Sequence, residues 1–218
     1  MSLVFPPLYA IIDAALLKTS ELSFAEMMAE SGVELLQYRN KRATTRELFE
    51  ACHSISARLS RLAKPGAHEP RFIVNDRADI ALLVKAKGVH VGQQDLSVEE
   101  ARGIVGQDSW VGVSTHSLEQ LEAADKTSAN YIAFGPIFPT GSKENPDPVV
   151  GLKLLCEARR HTRKPLVAIG GITLERAAET FRAGADSLAV ARDLIASEDP
   201  AARARLFLSE AARARGED

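Results

Sequence analysis

The chain has 218 residues, 45% hydrophobic and 26% charged, which suits one sizeable core and a domain of barrel type better than two small ones. A net charge of -2 and a pI near 6.2 exclude a general polyanion-binding field, so nucleic acid is not an expected partner and any attraction for phosphate must come from local groups. No run approaches the ~18 apolar residues of a membrane span, Met1–Pro7 lacks a basic n-region, and Cys52 and Cys156 fall on apolar helix positions, as expected of reduced, buried thiols in a cytoplasmic protein.

Taken in order, Leu8–Asp13 (LYAIID) reads as a first strand and Phe24–Gly32 as a short helix closed by glycine. Leu35–Lys41 (LLQYRNK) is the second strand, whose alternation puts Leu35, Gln37, Arg39 and Lys41 on one face with the polar residues at its C-terminal end. A helix over Thr44–Arg61 carries Leu48, Cys52, Ile55 and Leu59 in one stripe, and Lys64–Pro70 is a surface loop in which His68 is solvated. Arg71–Asp76 is strand three and Gly88–Gly92 strand four, after which Ser97 and Glu100 have the spacing of a capping box. Trp110–Thr115 is strand five, Ser117 caps the next helix, and Tyr131–Phe138 is strand six. The polar loop Pro139–Pro148, rich in glycine and proline, reads as a candidate lid, followed by a helix over Val149–His161.

The stretch Pro165–Ala191 holds the clearest unit: the apolar run Leu166–Ile169, Gly170-Gly171, a helix with Leu174, Ala177, Ala178 and Phe181 on its apolar face, Gly184, and a second run, Ser187–Ala191. Adjacent glycines at a strand end let backbone N–H groups approach a ligand, and a following helix N-terminus favours an anion, which suggests a phosphate cradle. The alternative is that the glycines only turn the chain. The strands total eight, each followed by a helix up to the closing one over Asp199–Arg215, so the expected fold is a single-domain (β/α)8 barrel spanning residues 1–218 with the cradle in the usual place after strands seven and eight.

Active sites of such barrels lie at the C-terminal strand ends. Here those ends carry Gln37, Arg39 and Lys41; Asn75 and Asp76; Gln93 and Asp95; Ser114 and His116; Thr140, Ser142 and Lys143; and Gly170 and Gly171. Three cations with hydroxyls and backbone donors can neutralise more than one phosphate, each charge-assisted bond adding ~1.5–3 kcal/mol, so a pyrophosphate with a separate phosphate fits the rim. Asp76 and Asp95 offer hard oxygen ligands without thiolates or paired histidines, which points to Mg²⁺ and away from zinc, the competing account being an Asp–Arg pair and helix caps.

Six ordered blocks, QYRNK (Gln37–Lys41), ND (Asn75, Asp76), GVHVGQQD (Gly88–Asp95), GVSTHS (Gly112–Ser117), GPIFPTGSK (Gly135–Lys143) and AIGGI (Ala168–Ile172), resemble the signature of the thiamine phosphate synthase family over nearly the whole chain. The resemblance implies Mg²⁺-dependent transfer of hydroxymethylpyrimidine from its diphosphate to the nitrogen of thiazole phosphate. It implies that Arg39, Lys41, Asn75 and Lys143 hold the pyrophosphate and form the catalytic set, that Asp76 and Asp95 hold the metal, and that Gln37 touches the pyrimidine. By the same likeness Ser114, Thr140 and Ser142 line the pyrimidine and thiazole pockets, and Gly171 with the backbone near Val190 and Ala191 takes the thiazole phosphate. Since the thiazole nitrogen is the nucleophile, no Ser–His or Cys–His pair is required, and His53, His90 and His161 are assigned structural roles.

Three positions depart from the family pattern: Ile12 where a threonine is usual, Ser142 for threonine, and Ala191-Arg192 for a pair usually ending in serine. Arg192 either contacts the phosphate or points outward. Two other readings stand beside this one: a thiazole tautomerase of the same fold using His116 as acid/base, and a non-catalytic phosphometabolite-binding regulator. The expected partners are the two small-molecule substrates, with no nucleic acid and no membrane; a homo-oligomer is compatible with this reading and not specified by it.

Overall fold

A computed structural model of the chain describes residues 5–62, 69–140 and 147–216. Strands β1 (Leu8–Asp13), β2 (Leu35–Arg39), β3 (Arg71–Asn75), β4 (Gly88–Val91), β5 (Trp110–Thr115), β6 (Tyr131–Phe134), β7 (Leu166–Ala168) and β8 (Ser187–Val190) pair in parallel in sequence order, and β8 closes on β1. Between them run α1 (Glu21–Glu30), α2 (Thr45–Leu62), α3 (Ala78–Leu83), α4 (Val98–Val105), α5 (Leu118–Asp125), α6 (Gly151–His161) and α7 (Leu174–Arg182), and α8 (Arg192–Ile195) and α9 (Pro200–Arg215) end the chain. The expected (β/α)8 barrel is the observed one.

Strand alternation divides the apolar residues into two layers. Leu8, Ala10 and Ile12 of β1, with Leu36, Val74, Val89, Val111, Ile132 and Leu188, face outward and form one core with the helices. Tyr9, Leu35, Ile73, Tyr131, Ala133 and Val167 face the axis. At the N-terminal end Phe5 stacks on Trp110 with ring centroids 5.2 Å apart, and the Arg71 guanidinium lies 4.2 Å from the indole centroid. These side chains fill the bottom of the barrel, and the described cavity opens at the other end. Gly112 makes the interior arrangement possible, because a Cβ there would stand 2.0 Å from Tyr131 Cζ.

Several strands stop short of their expected ends: β2 at Arg39, β3 at Asn75, β4 at Val91, β6 at Phe134, β7 at Ala168 and β8 at Val190. At three of these ends the backbone turns to positive φ soon after the last ladder residue, +62° at Asp76, +159° at Gly135 and +88° at Gly170, which ends the ladder there, although after Gly135 the apolar residues run on to Phe138. α1 begins earlier than expected, at Glu21, because Ser20 accepts a hydrogen bond from Ser23 N (3.4 Å) and carries a polar first turn that the apolar stripe does not mark. The Ser97–Glu100 capping box forms as expected, with Glu100 Oε2 accepting from Ser97 N at 2.8 Å.

The two cysteines differ, which corrects the expectation that both are buried. Cys52 is fully enclosed under α2, and burial pushes its thiol up to about 12. Cys156 is exposed, because Leu155 and Ala158 form the buried face of α6 and the next residue is rotated ~100° away from it. A thiol reagent is therefore expected to modify one cysteine in the native protein and both in urea; native modification of both would show that Cys52 is reachable. No helix among the described residues is long and apolar enough to cross a membrane.

Candidate active site

The C-terminal strand ends open into a cavity of about 1000 Å³. Gln37, Arg39, Lys41, Asn75, Asp76, Asp95, Ser114, His116, Thr140, Gly171 and Ala191, all singled out from the sequence, line this one space. Ser142, Lys143 and most of the candidate lid lie outside the described residues, as does His68. Val190 is fully buried with its side chain in the outer core, so only its backbone is offered to the cavity side, whereas Ala191 and Arg192 line the wall.

On the wall built by β1 to β4, opposite charges are already matched. Arg39 Nη1 lies 2.7 Å from Asp13 Oδ2, and Lys41 Nζ lies 2.6 Å from Asp76 Oδ2. Asp13 also accepts from Ala15 N at 3.0 Å, so it anchors the guanidinium and leaves most of its donors to a ligand. The Asp76 N–H donates to His90 O (2.8 Å) and pins this residue at φ +62° just beyond β3. Asp95 Oδ2 accepts from Gly92 N at 2.8 Å.

The two carboxylates are close enough to act on each other. Burial, the largest influence, pushes the Asp76 carboxyl above the usual carboxylate range; Lys41 pulls it down, and the neighbouring Asp95 charge pushes it up again. Such a pair fits a hard divalent cation, which would relieve that repulsion. The described residues contain no group of three or more histidine, cysteine or acidic side chains placed to hold a metal. One or two carboxylates suffice for a hard divalent cation whose remaining positions go to water and substrate oxygens.

The opposite wall is built by β7, β8 and the segment after β6. Gly170 and Gly171 take φ of +88° and +65°, and a Cβ on them would lie 2.4 Å from Pro136 Cβ and 2.6 Å from Pro139 O respectively. Both the backbone conformation and the close packing of this segment therefore demand glycine. Arg176 Nη1 donates to Gly171 O at 2.7 Å, with its guanidinium 4.5 Å from the Phe138 ring centroid. Arg203 clamps Asp193 through two hydrogen bonds (2.8 and 3.0 Å), and Asp193 Oδ2 accepts from Leu174 N at the start of α7 (3.2 Å).

Between the walls the floor is polar, and sequence reasoning missed much of it. Gln37 Nε2 donates to Tyr9 Oη (2.6 Å), Tyr9 Oη bonds Tyr131 Oη (2.8 Å), Tyr131 Oη bonds His90 Nδ1 (3.0 Å), and His90 Nε2 bonds Ser114 Oγ (2.9 Å). His90, expected to be structural, lines the cavity from below. The available signal was alternation: in GVHVG, His90 shares the inner face with Gly88 and Gly92. Asp13 was legible in the same way as the polar last residue of a strand, whereas Arg176 and Arg203 lie on helices and left no such mark. His116 is held between Gly135 O (2.5 Å from Nδ1) and Asp147 Oδ2 (3.3 Å from Nε2).

A closed parallel barrel with paired cations and carboxylates on one side of its mouth and glycines at its seventh strand on the other defines an enzyme of the (β/α)8 class that works on anionic ligands. Residues 8–194 match the family model described as thiamine monophosphate synthase, and the chain belongs to that family. It is 49% identical over 211 residues to a thiamine-phosphate synthase of Koribacter versatilis, covering 94% of this chain and 96% of that one. A thiamine-phosphate synthase of Methanospirillum hungatei is 39% identical over 201 residues, covering 92% and 95%. Among solved structures, a thiamine phosphate pyrophosphorylase of Pyrococcus furiosus superposes with a TM-score of 0.84 at 30% identity, covering 95% of this chain and 96% of that one.

Proposed function

We propose that this chain synthesises thiamine phosphate by transferring hydroxymethylpyrimidine from its diphosphate to the nitrogen of thiazole phosphate. The observation that carries the reading is the opposition, across one cavity, of the Arg39–Lys41–Asp76–Asp95 wall and the Gly170–Gly171 wall, with Gln37 and Ser114 on the floor between them. Two anionic ends need two separate receptors, and the reacting atoms must meet between them.

In this reading the C–O bond to the diphosphate breaks with its electron pair leaving on pyrophosphate, and the lone pair of the thiazole nitrogen forms the new C–N bond. Arg39, Lys41, Asn75 and Lys143 bind the leaving group and meet its growing charge, which is where fixed cations lower a barrier most. Asp76 and Asp95 would hold Mg²⁺, which when bound would supply further neutralisation of the leaving group's charge. Ser114, Thr140 and Ser142 position the two rings. Gly171, with the backbone at Val190 and Ala191, holds the thiazole phosphate. Both half-sites belong to one barrel domain, residues 1–218, acting in the cytoplasm on small molecules.

A tautomerase using His116 is less well supported, because both its ring nitrogens are already engaged and such a reaction gives no task to the Asp76–Asp95 pair. Incubating the purified protein with both halves and Mg²⁺ is expected to yield thiamine phosphate by mass spectrometry with equimolar pyrophosphate, and a chelator is expected to stop it. Binding of thiamine phosphate without turnover would favour the regulator, and proton exchange indifferent to chelation would favour the tautomerase.

A further inference from the structure

Side chains from five strands, β2, β1, β6, β4 and β5, are hydrogen-bonded in series beneath the cavity: Gln37, Tyr9, Tyr131, His90 and Ser114. With Gln37 Nε2 as the donor at its first member, one proton order lets every hydrogen in the series find an acceptor. Gln37 presents its amide nitrogen to Tyr9 Oη, so that oxygen accepts and the Tyr9 hydroxyl hydrogen must go to Tyr131. Tyr131, having accepted, donates onward to His90 Nδ1. Nδ1 must then be bare, which leaves the imidazole hydrogen on Nε2 pointing at Ser114 Oγ. Ser114 accepts it and keeps its own hydroxyl hydrogen for the cavity. At the other end, Gln37 commits one of its two amide hydrogens to Tyr9, which fixes the orientation of the carboxamide and leaves its Oε1 as the acceptor.

We propose that Tyr9, Tyr131 and His90 are positioning residues that set Gln37 as an acceptor and Ser114 as a donor, so that the floor selects a heterocycle with an amino group on one side and an unprotonated ring nitrogen on the other. An aminopyrimidine has this pattern. Its oxo counterpart, with a carbonyl in place of the amino group and a hydrogen on the ring nitrogen, presents the reverse at both points and would leave buried groups unpaired.

Other features of the fold agree. Burial raises both phenols above the ordinary tyrosine value, so each keeps the one hydrogen that the series requires. Tyr9 and Tyr131 are almost wholly buried, 1% and 0% exposed, with rings edge to face at 5.8 Å, and Gly112 leaves the space that Tyr131 fills. Both hydroxyls are engaged within the series, Tyr9 with Gln37 and Tyr131, and Tyr131 with Tyr9 and His90. The inference rests on the proposed coupling reaction only for the identity of the ring; the donor and acceptor order stands on the hydrogen bonds.

The test compares binding of the aminopyrimidine diphosphate and its oxo analogue to the full-length protein by calorimetry, alongside steady-state coupling. Tyr131→Phe interrupts the series in the middle and Tyr9→Phe at the Gln37 end. Each variant is expected to lose about tenfold or more of the amino-over-oxo preference, to raise KM for the pyrimidine diphosphate by a similar factor, and to leave kcat and KM for thiazole phosphate within about threefold. A folded variant of either kind that keeps the wild-type preference overturns the proposal. Independently of any variant, ¹⁵N–¹H imidazole spectra of the wild-type protein should show His90 protonated on Nε2, and the opposite tautomer would overturn it as well. If the wild type prefers the amino ring but makes no thiamine phosphate, the coupling reaction is wrong and the floor inference stands; coupling with no such preference is the converse.

Discussion

Asp76→Asn is expected to lower coupling turnover by about 10²–10³-fold while the protein stays folded. The substitution removes the charge that faces Asp95 and Lys41 but keeps the size and shape of the side chain. Asparagine is the replacement to use because residue 76 sits at φ +62°, a conformation that asparagine tolerates and alanine resists by about 1–2 kcal/mol. Stability should change by no more than ~1 kcal/mol, since Lys41 is half exposed and solvates readily once unpaired. Asp95→Asn should behave alike, its amide oxygen still able to accept from Gly92 N. Turnover within a few fold of wild type in both variants, measured at saturating Mg²⁺, would remove the metal role from these carboxylates.

The second large effect is expected at the opposite wall. Gly171→Ala puts a methyl group 2.6 Å from Pro139 O and 2.7 Å from Phe138 Cβ at φ +65°, and a backbone carbonyl cannot step aside as a flexible side chain can. Such crowding and strain should cost about 1–3 kcal/mol, or a fall of roughly 2–12 °C in Tm for a domain of this size. Displacing this segment also spoils the cradle, so KM for thiazole phosphate should rise ~10–100-fold while KM for the pyrimidine diphosphate stays within about threefold. A folded variant with an unchanged thiazole KM would mean that the glycines serve the turn alone. The two substitutions thus address opposite ends of the cavity, and a shared defect in both substrates' KM would instead indicate a general loss of the barrel mouth.

Which parts of this were legible beforehand follows from the range of the physics involved. The recurring apolar runs, the alternation in LLQYRNK, the Ser97–Glu100 cap and the glycine pair after β7 are local signals, each decided within a few residues, and they suffice for eight strand–helix units with the right residues on the rim. The ordered blocks, carried by those same strand ends, were enough for the family. Exact strand ends were not legible, because the turn to positive φ at Asp76, Gly135 and Gly170 leaves no consistent mark in composition, and after Gly135 the apolar run even continues to Phe138. Cys156 was misplaced for a related reason: with Leu155 and Ala158 marking the face, one residue of helical phase separates core from solvent.

The chain's order of apolar and polar residues thus determined the barrel, the inward direction of Gln37 and Arg39, and the kinds of charge at its mouth. Tertiary structure alone decided the pairings, Arg39 with Asp13, Lys41 with Asp76, and Tyr9 with Tyr131 across 122 residues of sequence. Those depend on strand register and on the closure of β8 against β1, which set the spacing of side chains from distant segments to the fraction of an ångström that a hydrogen bond requires. No local preference carries that information, since it exists only once all eight strands share one ring.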